Sequence, residues 1–385
     1  MKKLITCESV TIGHPDKVCD KISDSILDEI LEHDSKARVA CETAISDGIV
    51  MVMGEITSQY KPDYINLVKN TIKEIGYTDW ASGFDVENCS VVVNIKAQSP
   101  DISMGVNKAL ESKKGALGET LGAGDQGIVY GYASNESKNY MPIAFNLATR
   151  LTKQLEFVRR SGQLSYLRPD GKSLVSFDEL SGKVDTIIVS CQHHEDICKK
   201  QIENDILKNV ILKVIPIELL DGSTNVLINP TGKFSKGGPN SDAGVTGRKL
   251  MVDTYGGVGR HGGGAFSGKD PTKVDRSGAY MARYIAKNIV ASGVCDKCEV
   301  AISYIIGVAR PASININTFG TSRVDERRLE KIAMESFDLA PQGIINTFGL
   351  ENIRYSLISS YGHFGRDEYN LPWEKLDKLE KFRNL

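Results

Sequence analysis

Residues 256–275 read GGVGRHGGGAFSGKDPTKVD. Seven of the first thirteen residues in this stretch are glycine. A backbone with so few Cβ atoms can approach a ligand closely and can turn unshielded N–H groups towards an anion. The pattern therefore favours a phosphate-binding loop. The alternative is a flexible loop that leads into the exposed start of a helix.

Two lysines and two aspartates end this stretch. Lys269 and Lys273 are four residues apart, so they project from one face if Pro271 lies in the first turn of a helix. Asp270 and Asp275 are unsuited to a plain anion pocket. They fit a site in which a divalent cation accompanies the phosphates, because hard cations take oxygen ligands.

The spacing of Gly263, Gly268 and Lys269 nearly matches the P-loop pattern G-x-x-x-x-G-K. Asp270, however, occupies the position of the Ser or Thr that holds magnesium in a P-loop. A P-loop also follows directly on a buried strand. Here the nearest strand-like run, residues 249–255, is separated from Gly263 by flexible residues. The pattern thus indicates phosphate binding without the P-loop fold.

The 385-residue chain is long enough for two or three domains of roughly 100 to 150 residues each. Its net charge of -2 and pI near 6.4 argue against a nucleic acid or an anionic membrane as main partner. No apolar run approaches the ~18 residues of a membrane span, and no signal-peptide core follows Met1. Eight cysteines in such a chain are typical of reduced thiols. We expect a soluble, cytoplasmic protein.

Apolar periodicity alternates between helix-like and strand-like segments, which favours an α/β or α+β chain. A helix from Pro15, a hairpin around Asp47-Gly48, a second helix and an apolar strand form the first unit. Such elements occur three times at intervals of roughly 110 to 130 residues, which suggests triplication. We expect an N-terminal domain, a mobile gating loop or linker, a central domain and a C-terminal domain at residues 1–100, 101–124, 125–231 and 232–385.

The N-terminal motif is GHPDK at residues 13–17, with its proline suited to the first position of a helix. A helix N-terminus attracts phosphate, His14 can donate a hydrogen bond to a phosphate oxygen, and Asp16 can hold magnesium. The alternative is that His14 is only a helix cap and that the aspartates of this helix form a solvated face. For Asp20 and Asp28 we expect that solvated face.

Three more segments carry charged residues in turn or glycine-rich settings. GAGDQG at residues 122–127 exposes Asp125, which suits a ribose hydroxyl or a substrate ammonium. Asp242 precedes an Arg-Lys pair, in which the arginine can bind phosphate in a bidentate manner. RPDGK at residues 168–172 is expected to be a turn between two strands. Five cations in such settings suit a triphosphate: Lys172, Arg248, Lys249, Lys269 and Lys273.

These motifs, in this order, closely resemble the S-adenosylmethionine synthetase (methionine adenosyltransferase) family. The resemblance rests on GHPDK at 13–17, GAGDQG at 122–127, DAGVTGRK at 242–249 and GGGAFSGKDP at 262–271, with YGHFGR at 361–366 near the end. It spans essentially the whole chain. It implies an α+β fold of three similar α/β-sandwich-like domains with pseudo-threefold symmetry, and active sites shared between the subunits of a homodimer or homotetramer.

That family joins ATP and L-methionine. The methionine sulfur attacks ribose C5′ and expels triphosphate, which is then hydrolysed to pyrophosphate and phosphate. A thioether needs no general base, so the enzyme must orient the sulfur and stabilise charge on the leaving triphosphate. The resemblance also implies two Mg²⁺ ions per site and one K⁺ ion per subunit.

Carried over to this chain, the resemblance assigns residues to four roles. The catalytic residues are His14, Lys172, Arg248, Lys269 and Lys273. The ATP-binding residues are His14, Asp170, Lys172, Lys233, Phe234, Asp242, Arg248, Lys249, Ala265 and Lys269. The methionine-binding residues are Glu55, Gln98, Asp125, Asp242, Lys273 and Ile306. The metal ligands are Asp16 and Asp275 for magnesium and Glu42 for potassium.

Two positions depart from the family pattern. Lys233 stands where the family has an arginine beside Phe234, and residues 108–121 form a longer segment than in compact members. The competing functions are an ATP-dependent phosphotransferase, which leaves ADP, and a non-catalytic nucleotide-binding subunit. The presence of all the assigned catalytic residues disfavours the second.

Overall fold

The computed structural model describes residues 2–99, 108–115, 120–383 and 385. The strands are β1 Leu4–Val10, β2 Arg38–Ser46, β3 Ile49–Thr57, β4 Ser90–Lys96, β5 Gly127–Ser134, β6 Leu167–Asp178, β7 Lys183–His193, β8 Asn225–Ile228, β9 Gly244–Val245, β10 Lys297–Tyr304 and β11 Ser313–Asn317. The α-helices are α1 Pro15–His33, α2 Tyr64–Ile75, α3 Leu110–Lys113, α4 Ile143–Arg160, α5 Lys199–Ile206, α6 Leu212–Val214, α7 Leu250–Asp253, α8 Val274–Ala291, α9 Glu326–Ser336, α10 Pro341–Phe348 and α11 Glu380–Arg383. Over these ranges, no helix has the length and apolarity that a membrane crossing requires. Much of the predicted gating segment lies outside the described residues.

Each sheet contains a strand from another part of the chain. Across the described ranges, the strand orders are β1-β6-β7-β8, β11-β10-β5 and β4-β3-β2-β9. Thus β1 joins the central strands, β5 joins the C-terminal strands and β9 joins the N-terminal strands. The three units exchange strands in a cycle, so none of them completes its sheet alone. The expected α+β class is confirmed, and the domain boundaries remain predictions.

Helix α1 is buried along much of its length. Proline is favoured at its first position because the missing N–H would have no partner in the first turn. Val18, Ile22 and Ile26 are fully buried, and burying each of them stabilises the fold by roughly 1.5–3 kcal/mol. The helix packs against both β2 and β9. Its N-terminus is therefore held beside the short strand β9.

Helix α8 passes through the interior and follows directly on the glycine-rich stretch. All of its residues except Asp275 and Ala291 are buried. It packs closely against β5, because a Cβ on Gly131 would lie only 2.0 Å from the carbonyl carbon of Ala282. The end of the glycine-rich stretch is therefore attached to a rigid part of the core.

Two local predictions are wrong. Residues 168–172 belong to β6, and the register between β6 and β7 shifts between Leu167 and Gly171. Pairing with β1 and β7 overrides the local turn preference there. The strand-like run at 249–255 contains the short helix α7, which packs against β1 and buries Val252.

Candidate active site

His14 caps the N-terminus of α1 and is only 2 % exposed. Its Nδ1 accepts a hydrogen bond from the backbone N–H of Asp16 at 3.2 Å. Because Nδ1 accepts, the neutral ring carries its proton on Nε2. Burial, reinforced by Lys249 and Lys172, lowers the pKa of His14 to about 3. At neutral pH this histidine is therefore an uncharged hydrogen-bond donor as well as a cap.

Asp16 connects α1 to strand β9 and to the basic pair that follows it. One carboxylate oxygen accepts from the backbone N–H of Val245 at 3.0 Å, and the other accepts from Nζ of Lys249 at 2.6 Å. Nε of Arg248 lies 3.4 Å from Oδ1. Burial favours the protonated form, but the hydrogen bonds from Lys249 and Val245 outweigh it, so the pKa of Asp16 is lowered. The carboxylate is ionised, as a metal ligand must be.

The turn that carries the basic pair touches the glycine-rich stretch. A Cβ on Gly247 would lie 2.4 Å from the Cβ of Ala265, so the two loops are in direct contact. The side chain of Arg248 is 51 % exposed, whereas that of Lys249 is 19 % exposed. Asp242 is exposed at the start of the same segment.

The beginning of β6 lies against the GHPDK motif. A Cβ on Gly13 would lie 2.4 Å from the Cβ of Pro169, so the close approach requires glycine. Asp170 is buried and accepts from the backbone N–H of Gly238 at 2.9 Å. Its Oδ1 has no hydrogen-bond partner among the described residues, and burial raises the pKa of Asp170 to about 6. Lys172 is exposed.

Phe234 and Lys233 occupy different environments although they are adjacent. A Cβ on Gly237 would lie 2.8 Å from the Phe234 ring, so this ring packs beside the turn that contacts Asp170. Nζ of Lys233 forms an ion pair with Glu195 at 2.6 Å, and these side chains are 51 % and 75 % exposed. Phe234 thus belongs to the wall around Asp170, whereas the Lys233 ammonium group lies at the surface.

The glycine-rich stretch adds two lysine–aspartate pairs. Lys269 forms an ion pair with Asp275, and Lys273 forms one with Asp270 at 2.7 Å. Helix α8 begins only after both lysines and after Pro271. The expectation that the two lysines share one helical face is therefore wrong, because they belong to the loop before the helix.

Asp270 anchors this loop. It is fully buried, and its carboxylate accepts from the backbone N–H groups of Val39 at 2.7 Å and Thr272 at 2.9 Å. Together with the ion pair to Lys273, these bonds occupy both of its oxygens. Asp270 thus holds the loop in place, and its expected position beside a divalent cation stays a prediction. Asp275 is the more exposed carboxylate of the stretch, with a side chain that is 21 % exposed.

The loop runs along the edge of β2. The carbonyl of Gly268 accepts from the backbone N–H of Cys41 at 2.9 Å, and Ala40 forms a bridge with Lys269. Gly268 has a φ of +79°, and a Cβ there would lie 1.9 Å from the Cys41 carbonyl oxygen, so glycine is required. Ala40 is also paired with Glu55 of β3. Lys269, Ala40 and Glu55 therefore occupy neighbouring positions across the sheet.

Five other assigned residues are at least partly exposed. They are Glu42, Glu55, Gln98, Asp125 and Ile306. Glu42 and Glu55 face the open side of the β4-β3-β2-β9 sheet, and the backbone of Gln98 donates to Oγ1 of Thr57 at 3.0 Å. Within the described ranges, no hydrogen bond or ion pair joins these five side chains to His14 or Asp16. The structure thus brings together only part of the predicted site.

Sequence reasoning missed the buried aspartates of α1. Asp20 is fully buried and accepts from Nζ of Lys17 at 2.8 Å and from the backbone of Gly247 at 2.8 Å. Asp28 is half-buried and accepts from the backbone of Tyr355 at 2.7 Å. The expected solvated acidic face is therefore wrong. The signal was the regular four-residue spacing, which places these side chains on one side of the helix.

Four stretches that are distant in sequence thus meet around the N-terminus of α1: residues 13–17, 169–172, 234–249 and 262–275. They combine buried carboxylates, a neutral histidine, several lysines and Arg248. Such a cluster of cations beside a helix N-terminus is typical of α+β enzymes that bind a polyphosphate.

Comparison with known proteins gives the family. Models of the S-adenosylmethionine synthetase N-terminal, central and C-terminal domains match residues 2–100, 120–234 and 236–375. The chain is 54 % identical over 390 residues to the S-adenosylmethionine synthase of Clostridium tetani, covering 100 % of both chains. It is 54 % identical over 388 residues to that of Clostridium acetobutylicum, covering 100 % of this chain and 99 % of the relative. The chain belongs to the S-adenosylmethionine synthetase family.

Proposed function

We propose that the protein makes S-adenosyl-L-methionine from ATP and L-methionine and is thus a methionine adenosyltransferase. The methionine sulfur forms a bond to ribose C5′ as the C5′–O bond breaks, and the triphosphate leaves. The triphosphate is then hydrolysed to pyrophosphate and phosphate. The observation that carries this proposal is the convergence of His14, Asp16 and Lys249 at one helix N-terminus.

The main demand of this reaction is to stabilise negative charge on the departing triphosphate. A thioether is already a nucleophile and has no proton to lose, so no general base is required. His14 is uncharged and donates from Nε2 to an oxygen of the leaving group. Preorganised donors and cations are most effective where charge develops. The cations assigned to the phosphate oxygens are Lys172, Arg248, Lys249, Lys269 and Lys273.

We assign the nucleoside to the wall formed by Asp170 and Phe234. Oδ1 of Asp170 is buried and lacks a partner among the described residues, and we assign it to a hydroxyl group of the nucleoside. Phe234 offers a ring to the adenine. Lys233, Asp242 and Ala265 complete the ATP-binding set. The methionine-binding set is Glu55, Gln98, Asp125, Asp242, Lys273 and Ile306.

Magnesium and potassium complete the proposal. Among the described residues, no group of three or more acidic, histidine or cysteine side chains could hold a metal ion by itself. Magnesium does not need one, because it commonly takes one or two carboxylates and completes its shell with water and phosphate oxygens. Asp16 and Asp275 fit this role, and we assign two Mg²⁺ ions to the site and one K⁺ ion per subunit to Glu42. Bound magnesium neutralises charge on the triphosphate.

The open face of the β4-β3-β2-β9 sheet supports an oligomer. Ile49, Met51 and Val92 on this sheet are 40 %, 38 % and 42 % exposed. Contiguous exposed apolar surface commonly marks an interaction site. We propose that a second copy of the chain covers this face, which gives a homodimer or homotetramer whose active sites contain residues of two subunits.

The cysteines support a cytoplasmic location. All eight are free thiols, and all but Cys198 are buried. Free thiols persist in reducing compartments, so we propose the cytoplasm. The near-neutral net charge of -2 favours small-molecule partners, ATP and L-methionine, over nucleic acid or a membrane.

Product analysis tests the proposed reaction. The purified protein is incubated with ATP, L-methionine, MgCl₂ and KCl, and the nucleosides, pyrophosphate and phosphate are quantified separately. We expect S-adenosylmethionine with equal amounts of pyrophosphate and phosphate. ADP without a sulfonium product would instead identify a phosphotransferase, and intact ATP would identify a nucleotide-binding subunit without catalytic activity.

A further inference from the structure

Four aspartates of α1, at every fourth position from Asp16 to Asp28, form a regular series of acceptors that we call the aspartate ladder. Successive members are about 6 Å apart along the helix axis, from a rise of about 1.5 Å per residue. Each accepts a backbone N–H from a distant segment of the chain. The donors are Val245 to Asp16 at 3.0 Å, Gly247 to Asp20 at 2.8 Å, Gly268 to Asp24 at 2.8 Å, and Tyr355 and Ser356 to Asp28 at 2.7 and 2.9 Å.

The segments held by the ladder differ in what they carry. Gly247 directly precedes Arg248, and Gly268 directly precedes Lys269. The segment at residues 355–356 carries none of the residues assigned to ATP or methionine. Asp24 therefore holds a loop with an assigned catalytic lysine, whereas Asp28 holds a loop without one. Substitution of Asp28 therefore measures the effect of a lost ladder contact on folding alone. Substitution of Asp24 measures that effect together with any effect on catalysis.

Asp24 and Arg276 together hold the backbone at Lys269. Both side chains are buried, and the guanidinium group binds the Asp24 carboxylate in a bidentate manner at 2.8 and 2.9 Å. Arg276 also donates to the carbonyl of Lys269 at 3.2 Å. The guanidinium lies 4.0 Å from the centre of the Tyr355 ring and donates to the hydroxyl of Tyr280 at 3.0 Å. The pair thus contacts the Gly268 N–H and the Lys269 carbonyl, which are the first and last backbone polar groups of the Gly268–Lys269 dipeptide.

We propose that Asp24 and Arg276 are positioning residues for Lys269 in the reaction. Neither is assigned to contact substrate, and both act through the backbone of the glycine-rich loop. The Lys269 ammonium group exchanges Asp275 for a phosphate oxygen when ATP binds, while its backbone stays in place. The inference rests on the proposed role of Lys269 in binding the triphosphate.

The test compares Asp24→Asn with Asp28→Asn in the full-length protein. Asparagine keeps the shape and one acceptor oxygen, but it replaces the second oxygen with an NH₂ group. At Asp24 this group faces Arg276, which loosens the loop. We expect kcat to fall about 10- to 100-fold, because small misplacements of a catalytic group have effects of this size. Asp28→Asn should keep the wild-type kcat, although either variant can lower the thermal unfolding temperature.

A double-mutant cycle shows whether Asp24 acts through Lys269. Once Lys269→Ala has removed the ammonium group, adding Asp24→Asn should change kcat by no more than about twofold. A further 10- to 100-fold loss in the double variant would overturn the inference. If Asp24→Asn does not fold, Arg276→Lys takes its place in the cycle. It keeps the positive charge but removes the bidentate contact.

The outcomes separate this inference from the proposed function. If Lys269→Ala alone turns over at the wild-type rate, the assignment of Lys269 to the triphosphate fails, and the positioning role fails with it. If Lys269→Ala is slow while folded Asp24→Asn is as fast as Asp28→Asn, only the positioning role fails. A slow Asp24→Asn that is non-additive with Lys269→Ala supports it.

Discussion

The N-terminal end of α1 and the open face of the β4-β3-β2-β9 sheet carry assigned site residues in opposite environments. His14, Asp16 and Asp170 are 2 %, 1 % and 6 % exposed, and each accepts a backbone N–H. Glu42 and Glu55 are exposed, and no hydrogen bond or ion pair holds their side chains within the part of the chain that the structure describes. The residues proposed for the triphosphate and its magnesium are thus held by contacts within one chain, and we call them the prebuilt side. The residues proposed for methionine and potassium on the open face have no such contacts among the described residues.

The largest effect is expected from Lys269→Ala, which removes a cation at the junction of the two regions. We expect kcat to fall about 100- to 1,000-fold, the usual cost of losing one preorganised donor to developing charge. The thermal unfolding temperature should change little, because the side chain is 23 % exposed and its ion-pair partner is Asp275. Steady-state rates and thermal unfolding measure both effects. Lys331→Ala on α9 is the control. Near-wild-type turnover of Lys269→Ala would exclude Lys269 from the site.

The substitution Met51→Arg tests whether the open face is completed by a second copy. An unpaired charge buried in an interface costs roughly 2–5 kcal/mol, so the oligomer should dissociate and turnover should fall with it. Sedimentation measures assembly, and calorimetry measures ATP binding, which should persist on the prebuilt side. Met334→Arg on α9 is the control because Met334 is also exposed, at 62 %. An unchanged oligomer would show that this face is not the interface.

Asp16→Asn tests the metal assignment on the prebuilt side. Asparagine keeps an acceptor for the Val245 N–H but removes the charge that attracts magnesium. We expect the magnesium concentration for half-maximal activity to rise about tenfold, equivalent to about 1.4 kcal/mol. Magnesium titrations of Asp16→Asn and of the exposed control Asp79→Asn measure the difference. Identical titrations would contradict metal ligation by Asp16.

Asp170→Asn should have the smallest effect on turnover but should change how stability depends on pH. Burial raises the pKa of Asp170 from 3.8 to about 6. The folded protein therefore binds a proton on the Asp170 carboxyl group more tightly than the unfolded chain does. The contribution of this protonation to the free energy of unfolding is lost as pH rises through about 6. Asparagine is neutral at every pH, so the variant does not undergo this loss. The free energy of unfolding of Asp170→Asn, relative to that of the native protein, should therefore rise between pH 4 and pH 7 by on the order of 1–3 kcal/mol.

Urea unfolding at the two pH values measures this change for Asp170→Asn. Asp63→Asn, at an exposed helix cap, is the control for replacing a carboxylate by an amide. If the free-energy difference between Asp170→Asn and the native protein were the same at both pH values, the buried ionisation of Asp170 would be ruled out.

Predictions from sequence succeeded where neighbouring residues control the structure. The helix from Pro15 and the hairpin around Asp47-Gly48 are present, because a proline at a helix start and a tight turn are local signals. The turn predicted at residues 168–172 is strand, because β1 and β7 pair with it. Asp20 is buried for the same kind of reason, since Gly247 reaches it from a distant loop.

By itself, the sequence determined the α+β class, the order of the motifs and the cationic, glycine-rich character of residues 256–275, from which phosphate binding is predicted. Only the tertiary structure decided which distant segment of the chain each buried carboxylate holds. Asp270 is tied to Val39, Asp24 to Gly268 and Arg276, and Asp16 to Val245 and Lys249. The reason is that a buried carboxylate needs donors, and here many of those donors lie more than 200 residues away along the chain.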